Sequence, residues 1–188
     1  MAARTSFSSA SRLTPHASRI FRTSWGWMGI VASPIGVARI VLPQASRARA
    51  ERELGGTDGA PLQEANAQAL LVQAQAQLME FVAGKRQALD LPADLSAGTP
   101  FQRKVWRAAR RIPYGRVRSY QWIAGRVGGD RYARAVGLAL GANPVPILVP
   151  CHRVVAQDGS LGGFSCGLPA KRRLLTLEGT LKQLGPKV

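Results

Sequence analysis

Cysteine is scarce in this chain of 188 residues: there are two, Cys151 and Cys166. Two are too few for a disulfide framework, and their spacing matches no common zinc pattern. Free thiols in a reducing compartment, with no metal and no cofactor, are the expectation. Acid is scarce as well. Ten Asp and Glu stand against 26 Lys and Arg, a formal charge of +16, and no acid precedes Glu51. A field of that sign favours a polyanion, usually nucleic acid and less often an acidic membrane surface, although a generally basic composition would give the same total. Long apolar runs are missing too: arginine, glycine and proline interrupt every stretch, so nothing approaches the roughly 18 residues of a membrane span. No internal repeat is present. Yet 46% of the residues are hydrophobic, which excludes disorder throughout. The length allows one full core, or one domain with a smaller one attached, in a soluble globular protein.

The charge that is present is unevenly placed. Between Pro100 and Arg134 lie Arg103, Lys104, Arg107, Arg110, Arg111, Arg116, Arg118, Arg126, Arg131 and Arg134, against the single acid Asp130. This is a local patch rather than a background. Residues 1–24, rich in Ser, Arg and Ala, fit an unstructured extension or a start codon placed early, and their composition also fits an organelle presequence. The first two are favoured, so residence in the cytoplasm or nucleus is expected over organelle targeting.

Along the rest of the chain, Trp25 to Leu42 predicts two short strands around the turn Ser33-Pro34-Ile35-Gly36. Arg47 to Pro61 reads as a polar loop. Gln63 to Val82 carries Leu71, Ala74, Leu78, Phe81 and Val82 at helical spacing, with Gly84 as a stop. Residues 91–98 form a connection between two parts, 25–90 and 99–181, and 182–188 form a tail. Thr99-Pro100-Phe101-Gln102 is a capping box that opens a helix to about Arg111. Ser119 caps a short helix through Val127, Gly128-Gly129 breaks it, and Asp130 caps another to about Gly141. Two short helices around a glycine turn in a basic region have the form of a helix-turn-helix, a weak signal that the patch strengthens. After Asn143-Pro144-Val145-Pro146, which cannot continue a helix, comes the apolar run Ile147-Leu148-Val149. A short strand at Val154-Val155 and a last amphipathic helix from Pro169 to Glu178 follow.

The run ends at Cys151-His152, one of two cysteines beside one of two histidines. A nucleophilic cysteine attacks as thiolate and needs a group to take its proton, for which imidazole is the usual device. Adjacency alone is poor evidence, because neighbouring side chains often diverge. The surrounding text is more specific. Pro144-Val145-Pro146-Ile147-Leu148-Val149-Pro150-Cys151-His152-Arg153-Val154 resembles the active-site signature of the O6-alkylguanine-DNA alkyltransferases, the methylated-DNA–protein-cysteine methyltransferases. The resemblance runs from about Leu78 to Gly179. It includes Thr99-Pro100-Phe101-Gln102, Ile112-Pro113-Tyr114-Gly115, Ser119-Tyr120, Ala133-Arg134-Ala135-Val136-Gly137, Leu161-Gly162-Gly163-Phe164 and Leu177-Glu178-Gly179, in family order.

The resemblance implies an α/β N-terminal domain like ribonuclease H, here shortened, and a mostly α C-terminal winged helix-turn-helix domain that carries the thiol. It implies that Cys151 accepts an alkyl group from O6-alkylguanine, and also from O4-alkylthymine, irreversibly. His152 would be the base through a water, Glu178 its partner, and Asn143 the brace of the turn. Tyr120 would contact the flipped nucleotide and assist the leaving guanine. Arg134 would fill the space left in the stack, with Arg131, Ser119, Ala133 and Gly137 also at the DNA. Pro146, Val154, Ser165 and Cys166 would line the pocket. The implied partner is duplex DNA, met in the minor groove without sequence preference by a monomer. A non-catalytic lesion sensor of the alkyltransferase-like type is the alternative, and Cys151 argues against it. Two positions depart from the family pattern: Trp122, where smaller or polar residues are usual, and Cys166, often glycine.

Overall fold

The computed structural model describes residues 16–55 and 65–184. Three antiparallel strands open it, β1 (Ala17–Thr23), β2 (Gly26–Ser33) and β3 (Gly36–Gln44), with β2 in the centre. Strands β2 and β3 and the Ser33–Gly36 turn lie where the hydrophobic run places them. Strand β1 falls inside the stretch expected to be an unstructured extension, and this is a correction. It pairs with β2 along its whole length, from Ala17↔Ala32 to Thr23↔Gly26. Only Ala17 and Phe21 are fully buried, so β1 carries too little apolar alternation to announce itself beside an arginine-rich leader. Residues 1–15 lie outside the described residues.

Strand β2 is buried on both faces. Met28, Ile30 and Ala32 point into the main core, while Val31 joins Val41 and Leu54 in a small cluster on the other side. Helix α1 (Arg47–Leu54) covers that second face. It occupies a stretch expected to be loop, and the reason is plain in Arg47-Ala-Arg-Ala-Glu-Arg-Glu-Leu54. Two anchors one turn apart, Ala50 and Leu54, are its buried side chains, too few for a periodicity signal. Its approach is close enough that a Cβ on Gly29 would stand 2.9 Å from Leu54 Cδ1. The remainder of that predicted loop, from residue 56, lies outside the described residues.

Helix α2 (Ala65–Val82) lies across the opposite face with Leu71, Ala74, Leu78, Phe81 and Val82 all buried. It ends as expected at Gly84, whose φ is +73°. The connection 91–98 is fastened down: Val37 N donates to Pro92 O at 2.8 Å, Asp94 N to Val37 O at 2.8 Å, and Ser33 Oγ to Asp94 Oδ2 at 2.6 Å.

The second half is mostly helical. Both halves of the Thr99/Gln102 capping box form at the start of α3 (Pro100–Arg110). Ser119 ends the two-residue strand β4 (Arg118–Ser119) and caps α4 (Tyr120–Val127) by accepting from Trp122 N at 3.1 Å. Past Gly128-Gly129, Asp130–Tyr132 is a single 3-10 turn rather than a capped helix start, and α5 (Ala133–Gly141) begins without a side-chain cap. The Asp130 carboxylate instead accepts from Gln121 Nε2 at 2.9 Å. Strand β5 (Val154–Val155) pairs in parallel with β4, and α6 (Leu168–Leu177) closes the unit. The expected tail at 182–188 begins inside a 3-10 turn, Leu181–Gln183; residues 185–188 lie outside the described residues.

One core cluster runs through both halves, from Phe21 and Met28 through Val105 and Trp106 to Cys151 and Leu174. Two hydrogen bonds fix the parts around the cysteine segment. Ile40 N on β3 donates to Pro144 O at 2.9 Å, and Trp106 Nε1 on α3 donates to Ala139 O on α5 at 2.8 Å. Among the described residues no helix is long and apolar enough to cross a membrane.

Candidate active site

The apolar run after α5 does not pass straight through the core. Its backbone turns at Ile147, whose φ of +74° is in the left-handed region, a strained conformation for a β-branched residue that persists only where the surroundings hold it. Asn143 does the holding. Its Nδ2 donates to Val149 O at 2.9 Å, its Oδ1 accepts from Val145 N at 3.1 Å, and Val149 N closes the turn on Val145 O at 2.8 Å. The same Nδ2 lies 3.0 Å from Cys151 Sγ, so one amide shapes the turn and donates to the sulfur.

Cys151 opens a 3-10 turn, Cys151–Arg153, and is buried. Burial pushes its thiol up to about 11, against the Asn143 hydrogen bond and the Lys171 charge that pull it down. The resting group is therefore a thiol, and attack as thiolate would require a base.

Behind it stands a buried polar network. His152 Nε2 lies 2.8 Å from Glu178 Oε1, and the imidazole is fully enclosed. Arg153 Nε meets both Glu178 oxygens, at 3.1 and 2.9 Å, and its outer nitrogens reach Glu178 Oε1 at 2.9 Å and Ile112 O at 2.7 Å. Gly115 N and the Tyr114 hydroxyl, from the Ile112–Gly115 turn, hold Glu178 Oε2 and Leu177 O at 3.4 and 2.9 Å. Burial alone would raise the Glu178 carboxyl, but hydrogen bonds from His152 and Arg153 outweigh it and keep it below its ordinary value. Burial lowers His152, against the upward pull of Glu178. A carboxylate facing Nε2 can only accept, so Nε2 carries the proton of the neutral ring and Nδ1 carries the lone pair. Nδ1 is buried with no protein partner.

In front of the thiol a cavity of about 440 Å³ opens to solvent. Cys151 lies in its wall with Tyr120 from α4, Ala133, Arg134 and Gly137 from α5, and Gly163, Phe164 and Ser165 from the loop before α6. Tyr120 Oη donates to Gly163 O at 3.1 Å. The loop approaches the phenol so closely that a Cβ on Gly162, at φ +64°, would meet the ring at 2.8 Å. Lys171, fully buried, ties this loop to β5 by donating from Nζ to Val154 O at 2.6 Å, Gly163 O at 3.3 Å and Leu161 O. Burial lowers its ammonium to about 8.

The cavity thus brings together Cys151, Tyr120, Arg134, Ala133, Gly137 and Ser165; Asn143 is hydrogen-bonded to Cys151, and His152 and Glu178, hydrogen-bonded to each other, lie buried outside the lining. It does not bring together every residue expected there. Pro146 and Val154 are buried in the turn and in β5 and do not line it. Cys166 is exposed and outside the lining, with Sγ 4.0 Å from Ser165 Oγ. Ser119 uses its hydroxyl as the α4 cap, and Arg131 lies exposed beside Tyr132, so neither lines the cavity. Trp122 has two guanidiniums over its ring, Arg126 at 3.4 Å and Arg118 at 5.5 Å from the centroid. Arg153 and Lys171 escaped the sequence reading. Arg153 left a signal, a charge inside the apolar run Val149–Val155 that only pairing makes tolerable. Lys171 left none, because Lys171-Arg172-Arg173 reads as a solvated face.

A buried thiol thus lies in the wall of an open cavity, next in sequence to a buried histidine–carboxylate pair and faced by α5 with its single charge, Arg134. The family model described as "6-O-methylguanine DNA methyltransferase, DNA binding domain" matches residues 100–180. A methylated-DNA–protein-cysteine methyltransferase of Mycolicibacterium paratuberculosis is 51% identical over 102 residues, which cover 54% of this chain and 61% of that protein. Its namesake from Salmonella typhimurium is 46% identical over 104 residues, covering 55% and 61%. Matches of this kind span about three fifths of those relatives. The structure of Mycobacterium tuberculosis OGT in complex with DNA superposes over 91% of this chain and 96% of that one, with a TM-score of 0.70 and 34% identity. The chain belongs to the O6-methylguanine-DNA methyltransferase family.

Proposed function

We propose that this protein repairs DNA by transferring an alkyl group from O6 of guanine, and from O4 of thymine, to Cys151 Sγ. The observation that carries this reading is the shared cavity, which joins an otherwise buried thiol to the exposed Arg134, the one charged residue of α5, at the end of a basic stretch of chain. All ten basic residues between Arg103 and Arg134 are exposed except Arg103, which is half-buried. Such a surface suits a DNA backbone. In this reading α4, the glycine turn and α5 are a helix-turn-helix in a winged arrangement, and the unit before 91–98 is the ribonuclease H-like half, enlarged by β1. With β1 included the unit boundaries are 17–90 and 99–181, and the protein acts as a monomer in the minor groove without sequence preference.

An alkylated O6 inside a duplex is out of reach of a recessed sulfur, so the nucleotide is extruded, at a cost of a few kcal/mol. Arg134 fills the gap and keeps the stack from closing, as inserted side chains do. Arg131 and the backbone around Ser119, Ala133 and Gly137 hold the strand. In the cavity the thiol proton passes to His152 Nδ1 through a bridging water, and the Glu178 carboxylate stabilises the imidazolium that forms. The sulfur–carbon bond forms as the carbon–oxygen bond breaks. Guanine leaves with its electron pair and takes a proton from the Tyr120 hydroxyl, which gives up its hydrogen bond to Gly163 O and is reprotonated through water as the imidazolium releases the thiol proton. The thioether has no route back to thiol, so each molecule reacts once, and no cofactor takes part. Because Cys151 is present, this reading is preferred to a lesion sensor that lacks an acceptor.

The test is incubation with duplex DNA carrying radiolabelled O6-methylguanine. Label should move to the wild-type protein and not to Cys151→Ala. Demethylation without protein labelling, or labelling that survives the substitution, overturns the proposal.

A further inference from the structure

We propose that Leu138 is a substrate contact, an apolar lip that packs against the deoxyribose of the extruded nucleotide and closes the cavity mouth to water. The inference rests on the alkyl-transfer reading above. Of the large apolar side chains described as exposed, Leu138 is the most exposed, at 75%, yet it lines the cavity that contains Cys151. A single exposed leucine needs no explanation in general. Its neighbours give this one a meaning.

Leu138 lies one helical turn after Arg134, and residues four apart share a face. Around them on α5, Ala133, Gly137 and Gly141 offer at most a methyl group and also line the cavity. Leu140, the other large α5 side chain in the lining, is buried, so Arg134 and Leu138 are the two exposed ones that α5 presents at the mouth. The first carries charge. The second has neither donor nor acceptor, so phosphate gives it nothing, and the apolar part of a DNA strand is the sugar. When a base enters the cavity, its own sugar stays at the rim, where Leu138 stands. The ten basic residues of the Pro100–Arg134 stretch and its single acid favour DNA over a protein as what covers this side chain.

Three proteins are compared, the wild type, Leu138→Ala and Leu138→Lys, on methylated duplex and on free O6-benzylguanine base, with circular dichroism as the control for folding. Leu138→Ala should slow transfer from duplex about tenfold, the worth of one buried aliphatic contact. Its loss with the free base, which has no sugar, should be no more than about twofold. The slope of binding against salt should not change, since no phosphate contact is lost. Leu138→Lys should be at least as slow as Leu138→Ala on duplex. If Leu138→Lys is as fast as wild type with a steeper salt slope, the position faces phosphate and the proposal is wrong. Equal losses on duplex and free base also overturn it, as does full duplex activity in Leu138→Ala. Failure of the wild type itself to take label from duplex would instead refute the underlying reading.

Discussion

At the scale of residues, the site depends on Glu178. It is a buried acid with two cationic or protonated neighbours, and removing its charge strands Arg153. Breaking a buried pair from one side costs about 3–5 kcal/mol, so Glu178→Gln should melt well below the wild type and lose transfer activity. A melting temperature unchanged from wild type would mean that Arg153 is satisfied by Ile112 O alone. Asn143 makes a different prediction. Asn143→Asp keeps the acceptor for Val145 N but sets oxygen against both Val149 O and Cys151 Sγ. The thiol should then react more slowly with a small disulfide reagent than in wild type, because the hydrogen bond that favours thiolate is gone. Faster reaction would show that Asn143 does not donate to the sulfur.

At the scale of elements, α5 is predicted to act on the duplex rather than on the chemistry. Arg134→Ala should slow transfer from duplex by roughly tenfold or more, with a smaller effect on a free base analogue. Equal losses on the two substrates would remove Arg134 from extrusion. Element scale is also where the sequence was most legible. Caps and stops are local chemistry, so the Thr99/Gln102 box, the Ser119 cap, Gly84 and the end of α6 at Glu178 could all be read in place. Elements held by partners distant in sequence could not. Strand β1 exists because β2 offers it an edge, and α1 because Gly29 leaves room for Leu54. At the candidate site, the pairing of His152 with Glu178 beside Cys151 was legible through the motif. The lining was less so, since nothing local tells that Pro146 and Val154 turn inward while Leu138 and Phe164 face the cavity.

At the scale of the molecule, one core passes through both halves, so the buried His152–Glu178–Arg153 network is a property of the whole fold. Its pH dependence has a definite sign. His152 titrates below its ordinary 6.5 when folded, so an unfolded chain takes up that proton first as pH falls. Glu178 is likewise held below its ordinary 4.5, and protonating it removes the Arg153 ion pair. Both contributions are present above those values and are lost on acidification. Stability to urea should therefore be flat near neutrality and fall progressively from about pH 6.5 downward. The fall should be shallower in a His152→Gln variant, which has no imidazole to titrate. A stability that rises as pH is lowered through this range would contradict the neutral buried imidazole on which the proposed proton path depends.

The central claim is that Cys151 is consumed by the reaction. The most direct measurement titrates a fixed amount of protein with excess O6-methylguanine duplex and follows both methyl groups removed and the mass of the Cys151 peptide. Removal should stop at one equivalent per protein molecule, with a single methyl group added to that peptide and none to the Cys166 peptide. Continued removal beyond one equivalent, or a methyl group found elsewhere, would contradict the account.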